Sequence, residues 1–165
     1  MTRSVMMSKI GAKDTGPELI VRSGLHRRGY RFSLHSRNLP GRPDLVLRKY
    51  RAVILVHGCF WHAHEGCRYF RIPATRTEFW TAKLTRNRER DDEVLGALLE
   101  DGWRVLTVWE CSVRQMAVDN LFHYITLWLQ SEAKTGHISH LPSVTERPFP
   151  GRQDFVGRKS DYDCI

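Results

Sequence analysis

The spacing of apolar and polar residues changes several times along the chain, and each change marks a predicted element. Residues 15–18, Thr-Gly-Pro-Glu, have the form of a capping box with proline in the first turn, and they predict a helix to about residue 28. Apolar residues then alternate with polar ones over residues 30–34, which is the period of a half-buried strand. The first part of the chain is therefore predicted to be a helix followed by a strand.

The middle of the chain has the pattern of a hairpin followed by a long helix. Two apolar segments at residues 45–47 and 52–56 are joined by a short polar turn, and the second reads as a central strand. A second capping box at residues 75–78 begins the long helix, a third strand is predicted at 103–108, and a last helix at about 113–130. This order of elements predicts a single domain of the α/β class.

The periodicity ends at about residue 131. The remaining residues are rich in Gly, Ser, His and Pro and contain few apolar side chains. A segment of this kind cannot bury enough apolar surface to offset the entropy of ordering it. We therefore expect one domain over residues 1–131 and a disordered tail over residues 132–165.

Composition narrows the range of functions. The chain has 26 Lys and Arg against 18 Asp and Glu, a net charge of +8, and this excess favours an anionic partner. Nucleic acid, an acidic protein and plain solubility all remain open at this point. No apolar run is long enough for a membrane span, and the N-terminus lacks the pattern of a secretory signal, so a cytoplasmic location without membrane contact is expected.

Three cysteines and a histidine have the spacing of metal ligands. Cys59, His64 and Cys67 form a C-x4-H-x2-C pattern, and Cys111 directly follows the third predicted strand. Four such ligands make a closed tetrahedral zinc site, which would be structural because no coordination position is open. The alternative is that the cysteines are reduced and buried as small hydrophobes. The polar sequence around them favours zinc.

A carboxylate and two imidazoles are predicted to meet at one edge of the sheet. Asp44 stands at the start of one strand, His57 ends the next, and His62 follows five residues later. Hydrolysis of a phosphodiester needs a cation that neutralises charge on the phosphate, a base that activates water, and help for the leaving oxygen. Glu18 could orient a histidine or a water, although capping of the first helix explains it equally well, and Asp44 could be a simple strand-entry residue.

Four segments of the sequence closely resemble the very-short-patch-repair endonucleases, the Vsr family. They occur in the family's order and at compatible separations: LPGRPDLV at 39–46, VHGCFWH at 56–62, PATRTEFW at 73–80 and GWRVLTVWEC at 102–111. The resemblance runs from residue 3 to the last helix and does not include the tail. It implies a restriction-endonuclease-like core, a mixed sheet flanked by helices, that nicks double-stranded DNA 5′ of the thymine in T:G mismatches left by deamination of 5-methylcytosine.

The resemblance also implies roles for the candidate residues. Asp44 binds Mg2+ with help from the backbone carbonyl of Val56, which stands where the best-known members have Thr. His62 is implied as the general base, His57 as the group that assists the leaving oxygen, and Glu18 as a support. The structural zinc ligands implied by the family are the same four as above: Cys59, His64, Cys67 and Cys111. The stretch at residues 65–66 is one residue longer than the His-rich version of the family.

For DNA, the resemblance implies aromatic wedges beside the mismatch. A mismatched pair stacks poorly, so an inserted side chain costs less free energy there than in a matched duplex. Core packing is the alternative role for the first of these aromatics, Phe60. The positions that match the family are Phe60, Trp61 and Trp80 in the major groove, Met7 of an arm at residues 1–14 in the minor groove, and Lys83 and Asn87 near the mismatched pair.

Two other functions remain open from the sequence. The same core fold also serves restriction-like endonucleases that cut matched DNA. A zinc-stabilised module that binds mismatches without catalysis is a second alternative. We expect a monomer, and downstream repair proteins are expected as further partners.

Overall fold

The computed structural model describes residues 14–140, in which helices pack on both faces of a five-stranded mixed sheet. The helices are α1 (Gly16–Arg27), α2 (Thr77–Glu100), α3 (Glu110–Gln115) and α4 (Val118–Gln130). The strands are β1 (Ser33–Leu34), β2 (Leu45–Leu47), β3 (Ala52–His57), β4 (Arg104–Trp109) and β5 (Thr135–Ile138). The predicted α/β class with a mixed sheet is confirmed.

The sheet order explains how distant parts of the chain meet. The strands lie in the order β1-β2-β3-β4-β5, with antiparallel pairing among the first three strands and parallel pairing from β3 to β5. Within the parallel pair, His57 at the end of β3 lies opposite Trp109 at the end of β4. The segments that follow these two strands therefore start at the same edge of the sheet.

Two apolar layers hold the helices to the sheet. On one face, α1 and α4 bury side chains such as Leu25 and Trp128 against Ile54. On the other face, Leu98 of α2 packs with Val53 in a second cluster. Strand β3 is buried on both faces, as its continuous apolar sequence predicts.

Strand β5 corrects the prediction for the tail. The expectation of disorder over residues 132–165 is wrong for Thr135–Ile138, which pair in parallel with β4. The sequence signal is weak because this strand is held largely by its backbone and by one close contact. The indole N–H of Trp128 donates to the carbonyl of Thr135 at 3.1 Å, and a side chain at Gly136 would collide with the same indole. Residues 141–165 lie outside the described residues, as do residues 1–13 of the expected arm.

Several element boundaries also differ from the predictions. The last predicted helix is two helices, α3 and α4, because Met116 and Ala117 adopt extended backbone conformations between them. Helix α2 begins after Arg76, whose left-handed backbone (φ 55°) replaces the capping box predicted at residues 75–78. The strand at 30–34 is reduced to two residues. Within residues 14–140, every helix is too short or too polar to cross a membrane.

Candidate active site and metal centre

Four potential metal ligands converge at the edge where β3 and β4 end. Cys59 follows β3, and Cys111 is the second residue of α3, which continues directly from β4. The loop between them brings His64 and Cys67 to the same place, so that the donor atoms of all four residues lie within 4.8 Å of one another and all four are buried. The Nδ1 atom of His64 is 3.4 Å from the Cys59 sulfur and 3.6 Å from the Cys111 sulfur.

The surroundings of this cluster fit a metal ion. The thiol of Cys59, the ring of His64 and the N–H of His140 all face the Cys111 sulfur, and hydrogen bonding from Cys59 lowers the pKa of Cys111. The same hydrogen bond raises the pKa of Cys59, and burial raises the pKa of Cys67. Thiolate is the form that binds metal. The ring of His64 stacks on Trp109 with centroids 3.9 Å apart, which fixes its orientation. The cluster therefore has the donor set and the fixed geometry of a closed site.

The additional residue in the loop is accommodated by a turn. Gly66 has a φ of +72°, a left-handed conformation that costs glycine little. Beside it, Glu65 forms an ion pair with Arg88 of α2. The longer spacing between His64 and Cys67 is thus compatible with convergence of the four ligands.

A cleft of about 1080 Å³ lies beside the metal cluster. It brings together residues from α1, from the turn before β2, from the end of β3 with its following loop, and from α2. Nine residues singled out from the sequence line it: Glu18, Asp44, Val56, His57, Phe60, Trp61, His62, Lys83 and Asn87. Trp80 is not among the residues that line the cleft, but it contacts Phe60 and Trp61, whereas Met7 lies outside the described residues.

Asp44 directly precedes β2 and lies beside the end of β3, beyond the last residue pair of these two strands. The N–H of Val56 donates to Oδ2 of Asp44 at 2.7 Å. The N–H and C=O of one strand residue point to the same edge, so the carbonyl of Val56 is directed to the side that carries Asp44. Burial raises the pKa of Asp44 to about 6, and the hydrogen bond from Val56 partly offsets this rise. A carboxylate and a carbonyl on one edge fit a hard divalent cation.

The rings of His57 and His62 stack on each other, and His62 also contacts a carboxylate of α2. Their ring centroids are 3.8 Å apart with an angle of 4° between the planes. The Nδ1 atom of His62 lies 2.6 Å from Oδ2 of Asp91, which projects from α2. Burial, followed by the neighbouring imidazoles, lowers the pKa of His57 well below its usual value, so His57 is neutral at pH 7.

The geometry of this trio suits acid–base chemistry better than metal binding. The donor atoms of His57, His62 and Asp91 lie within 4.8 Å of one another. However, nitrogen lone pairs lie in the ring plane, so two rings stacked nearly parallel cannot direct them to one point. With Nδ1–H of His62 donated to Asp91, Nε2 of His62 is left to accept a proton.

Asp91 was not identified from the sequence. It belongs to a run of charged residues in the first half of the long helix, and such a run is ordinarily just a solvated helix face. The signal that could have identified it is spacing, because Lys83, Asn87 and Asp91 follow one another at intervals of four and share one face of a helix. All three line the cleft.

Three aromatic rings form a half-buried group at one end of the cleft. The centroid of Phe60 is 5.2 Å from that of Trp61 and 5.4 Å from that of Trp80. The ammonium of Lys83 is 5.3 Å from the Trp61 ring, and the amide of Asn87 donates to the carbonyl of Trp61 at 2.9 Å. Among the described residues, Phe60 belongs to none of the hydrophobic clusters of the core, so core packing does not explain it.

Glu18, which also lines the cleft, is held in place by a hydrogen-bond network of its own. Its carboxylate accepts hydrogen bonds from the Asp14 N–H at 3.0 Å, from the Thr15 hydroxyl at 2.9 Å and from Arg22 at 2.9 Å. The Thr15 hydroxyl bonds to this carboxylate and makes no capping bond to the helix backbone. Glu18 is 4% exposed, so its carboxylate is fixed in the cleft wall.

Comparison with known proteins gives a consistent result. Residues 1–68 match the family model described as DNA mismatch endonuclease Vsr. The chain is 44% identical over 140 residues to the DNA mismatch endonuclease Vsr of Escherichia coli (strain K12), an alignment that covers 83% of this chain and 89% of that protein. It is 46% identical over 114 residues to the type II nicking enzyme V.XorIIP of Xanthomonas oryzae pv. oryzae, with 69% of this chain and 83% of the relative covered.

A third relative is another nicking enzyme. The type II nicking enzyme V.NmeAIP of Neisseria meningitidis serogroup A is 41% identical over 116 residues, which covers 70% of this chain and 82% of that protein. In all three alignments the relative is matched over most of its own length.

Proposed function

Because this chain belongs to the Vsr family of DNA mismatch endonucleases, we propose that it nicks double-stranded DNA 5′ of the thymine in a T:G mismatch. We further propose Mg2+ at Asp44 as the catalytic cation and Zn2+ in the Cys/His cluster as a structural ion. The observation that carries the proposal is one cleft lined by the half-buried carboxylate of Asp44, a stacked histidine pair and an aromatic group. The enzyme acts as a monomer that initiates repair, and other proteins complete it.

The hydrolytic step is assigned to the two histidines. His62 accepts a proton at Nε2 from the attacking water, while Asp91 holds its Nδ1–H and stabilises the imidazolium. His57 is neutral and donates a hydrogen bond from its ring N–H to the oxygen that leaves phosphorus, and this oxygen takes its proton from a solvent water as the P–O bond breaks. Glu18, which lines the same cleft, supports this centre.

A bound Mg2+ would neutralise charge on the scissile phosphate. Asp44 and the carbonyl of Val56 are the residues that would hold it. Three lines support this assignment: the oxygen donors are on one edge of β3, Asp44 lines the cleft, and His57 lies one residue beyond Val56. The family resemblance points to the same two residues.

Zinc is assigned a structural role that also affects the position of catalytic residues. The loop between Cys59 and Cys67 also carries Phe60, Trp61 and His62. Closing this loop on a metal fixes Phe60, Trp61 and the general base with one constraint. Three cysteine sulfurs and one imidazole nitrogen within 4.8 Å of one another are a donor set typical of structural zinc, and this supports zinc as the ion.

Specificity and affinity are assigned to different surfaces. Phosphate contacts supply affinity for any duplex but carry no sequence information. Between residues 68 and 90 the cations outnumber the two acids, Glu78 and Glu89; they are Arg68, Arg71, Arg76, Lys83, Arg86, Arg88 and Arg90. Selectivity for the mismatch comes from insertion of the aromatic group, with Lys83 and Asn87 beside it and Met7 from the arm.

The direct test of this function is strand cleavage of matched and mismatched duplexes. Purified protein with Mg2+ is expected to nick only the thymine strand of an oligonucleotide duplex with one T:G pair. Duplexes with C:G or T:A at the same position should remain intact under the same conditions, as resolved on a denaturing gel. Equal cutting of the matched duplex would favour a restriction-like endonuclease, and tight binding to T:G without cleavage would favour a binding module.

Asp91 offers a second test of the assigned chemistry. The substitution Asp91→Asn is expected to slow single-turnover nicking by about 100-fold, because an amide cannot stabilise the imidazolium and can hold the wrong tautomer. Affinity for T:G DNA should change little. The control is Asp92→Asn, the exposed neighbouring carboxylate, which should retain the wild-type rate. Equal rates for both variants would remove Asp91 from the mechanism.

A further inference from the structure

A buried arginine lies at the centre of three potential cation ligands near the cleft. The donor atoms of Asp14, Glu18 and His35 lie within 4.8 Å of one another, a spacing that would suit a metal ion. The guanidinium of Arg22 contacts all three. It forms an ion pair with Asp14, donates to Glu18 at 2.9 Å, and lies 2.8 Å from Nε2 of His35.

The chemistry of these contacts identifies Arg22 as the cation of the cluster. A guanidinium has only donors, so Nε2 of His35 accepts from it in the way that an imidazole nitrogen would bind a metal. Arg22 is 8% exposed although it carries a permanent charge. Burial of such a charge is tolerated only when fixed partners compensate it, and the two carboxylates provide that compensation.

We propose that Arg22 is a built-in cation of the nuclease centre: it takes the place of a second divalent ion among Asp14, Glu18 and His35. In that place it fixes the carboxylate of Glu18 in the cleft wall that also carries Asp44. Arg22 is thus a positioning residue that acts through Glu18. The catalytic part of this inference rests on the proposed role of Asp44 as a ligand of Mg2+.

Charge balance supports a built-in cation. Within the cluster of Asp14, Glu18 and His35, two carboxylates and the guanidinium of Arg22 leave one formal negative charge. Without Arg22 the excess would be two negative charges, and the cluster would attract another cation. An arginine fork also holds its partners at fixed angles, whereas an exchangeable ion would leave Glu18 mobile when it dissociates.

The metal-binding test uses the DNA-free, zinc-loaded protein and Mn2+ as the probe, with unbound Mn2+ measured by EPR. Arg22→Met is expected to bind one Mn2+ more than the wild type, and E18Q/R22M should lose that additional ion. The control is Arg28→Met, which removes an exposed ion pair with Asp119 at the other end of α1 and should leave the count unchanged. A folded R22M protein with the wild-type count would overturn the proposal.

Stability and catalysis complete the test. If R22M does not fold, Arg22→Gln opens the same site with a polar side chain, and thermal melts identify the folded variants. At saturating Mg2+ and DNA, R22M should nick at least roughly 10-fold more slowly than the wild type, as for residues that orient metal-site ligands. In an E18Q background the same substitution should have no further effect on the rate. If R22M and E18Q reduce the nicking rate additively, or if R22M slows nicking no more than R28M does, Arg22 forms only an ordinary helix ion pair.

The outcome for Arg22 can be separated from that for the proposed function. The additional Mn2+ site does not depend on nicking, so it tests the built-in cation even if the wild type fails to cleave T:G DNA. Conversely, loss of one Mn2+ in D44N would support the cation site at Asp44 whatever the count for R22M. A wild type that nicks T:G with an unchanged R22M count would retain the function and reject the role of Arg22.

Discussion

Replacement of Asp44 by asparagine is expected to abolish nicking while mismatch binding remains. The amide retains the hydrogen bond from the Val56 N–H but loses the charge that would hold a divalent cation. Loss of about 4 kcal/mol of charge stabilisation in the transition state corresponds to about 1000-fold in rate. Single-turnover cleavage of a T:G duplex measures the rate, and a gel-shift titration in Ca2+ measures binding.

The stability of this variant provides a control for unfolding. Burial raises the pKa of Asp44 to about 6, above the value of 3.8 usual for aspartate, so the ionised carboxylate destabilises the folded state above about pH 4. An asparagine side chain is neutral at all pH values, so the D44N variant should melt at or above the wild-type temperature when metal is absent. Asp119→Asn, at an exposed carboxylate, should retain full activity. Normal nicking by D44N would reject the assigned cation site.

Removal of one zinc ligand is expected to cost both stability and activity. In Cys67→Ser the hydroxyl is a poor zinc ligand, so the site should lose its ion. The loop should then lose the constraint that closes it. Loss of a structural metal is among the few changes that lower the free energy of unfolding by about 4 kcal/mol or more. For a domain of this size that corresponds to a fall in Tm of about 10 °C. Nicking should fall as well, because the same loop carries His62 and Trp61.

The matched control for zinc is the remaining cysteine of the sequence. The four ligands form a complete tetrahedral set without Cys164, so Cys164→Ser should keep about one equivalent of zinc, the wild-type Tm and the wild-type rate. Metal content is measured by atomic absorption and Tm by circular dichroism. A wild-type protein that is fully folded and active without metal would contradict the structural role of zinc. An unchanged Tm in Cys67→Ser would contradict it as well.

The elements that were predicted well are those with strong local patterns. The hairpin of β2 and β3 is confirmed, because two apolar segments separated by a short polar turn allow few other arrangements. The convergence of Cys59, His64, Cys67 and Cys111 was also predictable, since three of the four are close in sequence. For these features the residues that determine the structure are neighbours along the chain.

The features that were missed depend on contacts between distant residues. Asp91 meets His62 across 29 positions of the sequence, and only the path of α2 over the sheet makes them partners. Strand β5 contains one buried apolar side chain, Ile138, and is formed by pairing with β4 and by the contact of Trp128 with Gly136. Local sequence propensity does not predict β5, because this parallel strand is stabilised by its pairing with β4 at the edge of the sheet.

The family, the α/β class and the residues available for chemistry therefore follow from the chain alone, because four long segments and one ligand spacing are properties of its sequence. The packing of the fold then combined those residues. It paired His62 with Asp91, stacked His57 on His62, and made Arg22 the cation among Asp14, Glu18 and His35. The physical reason is that charge pairing and desolvation depend on distances through space, and only the packing of α1 and α2 against the sheet sets those distances.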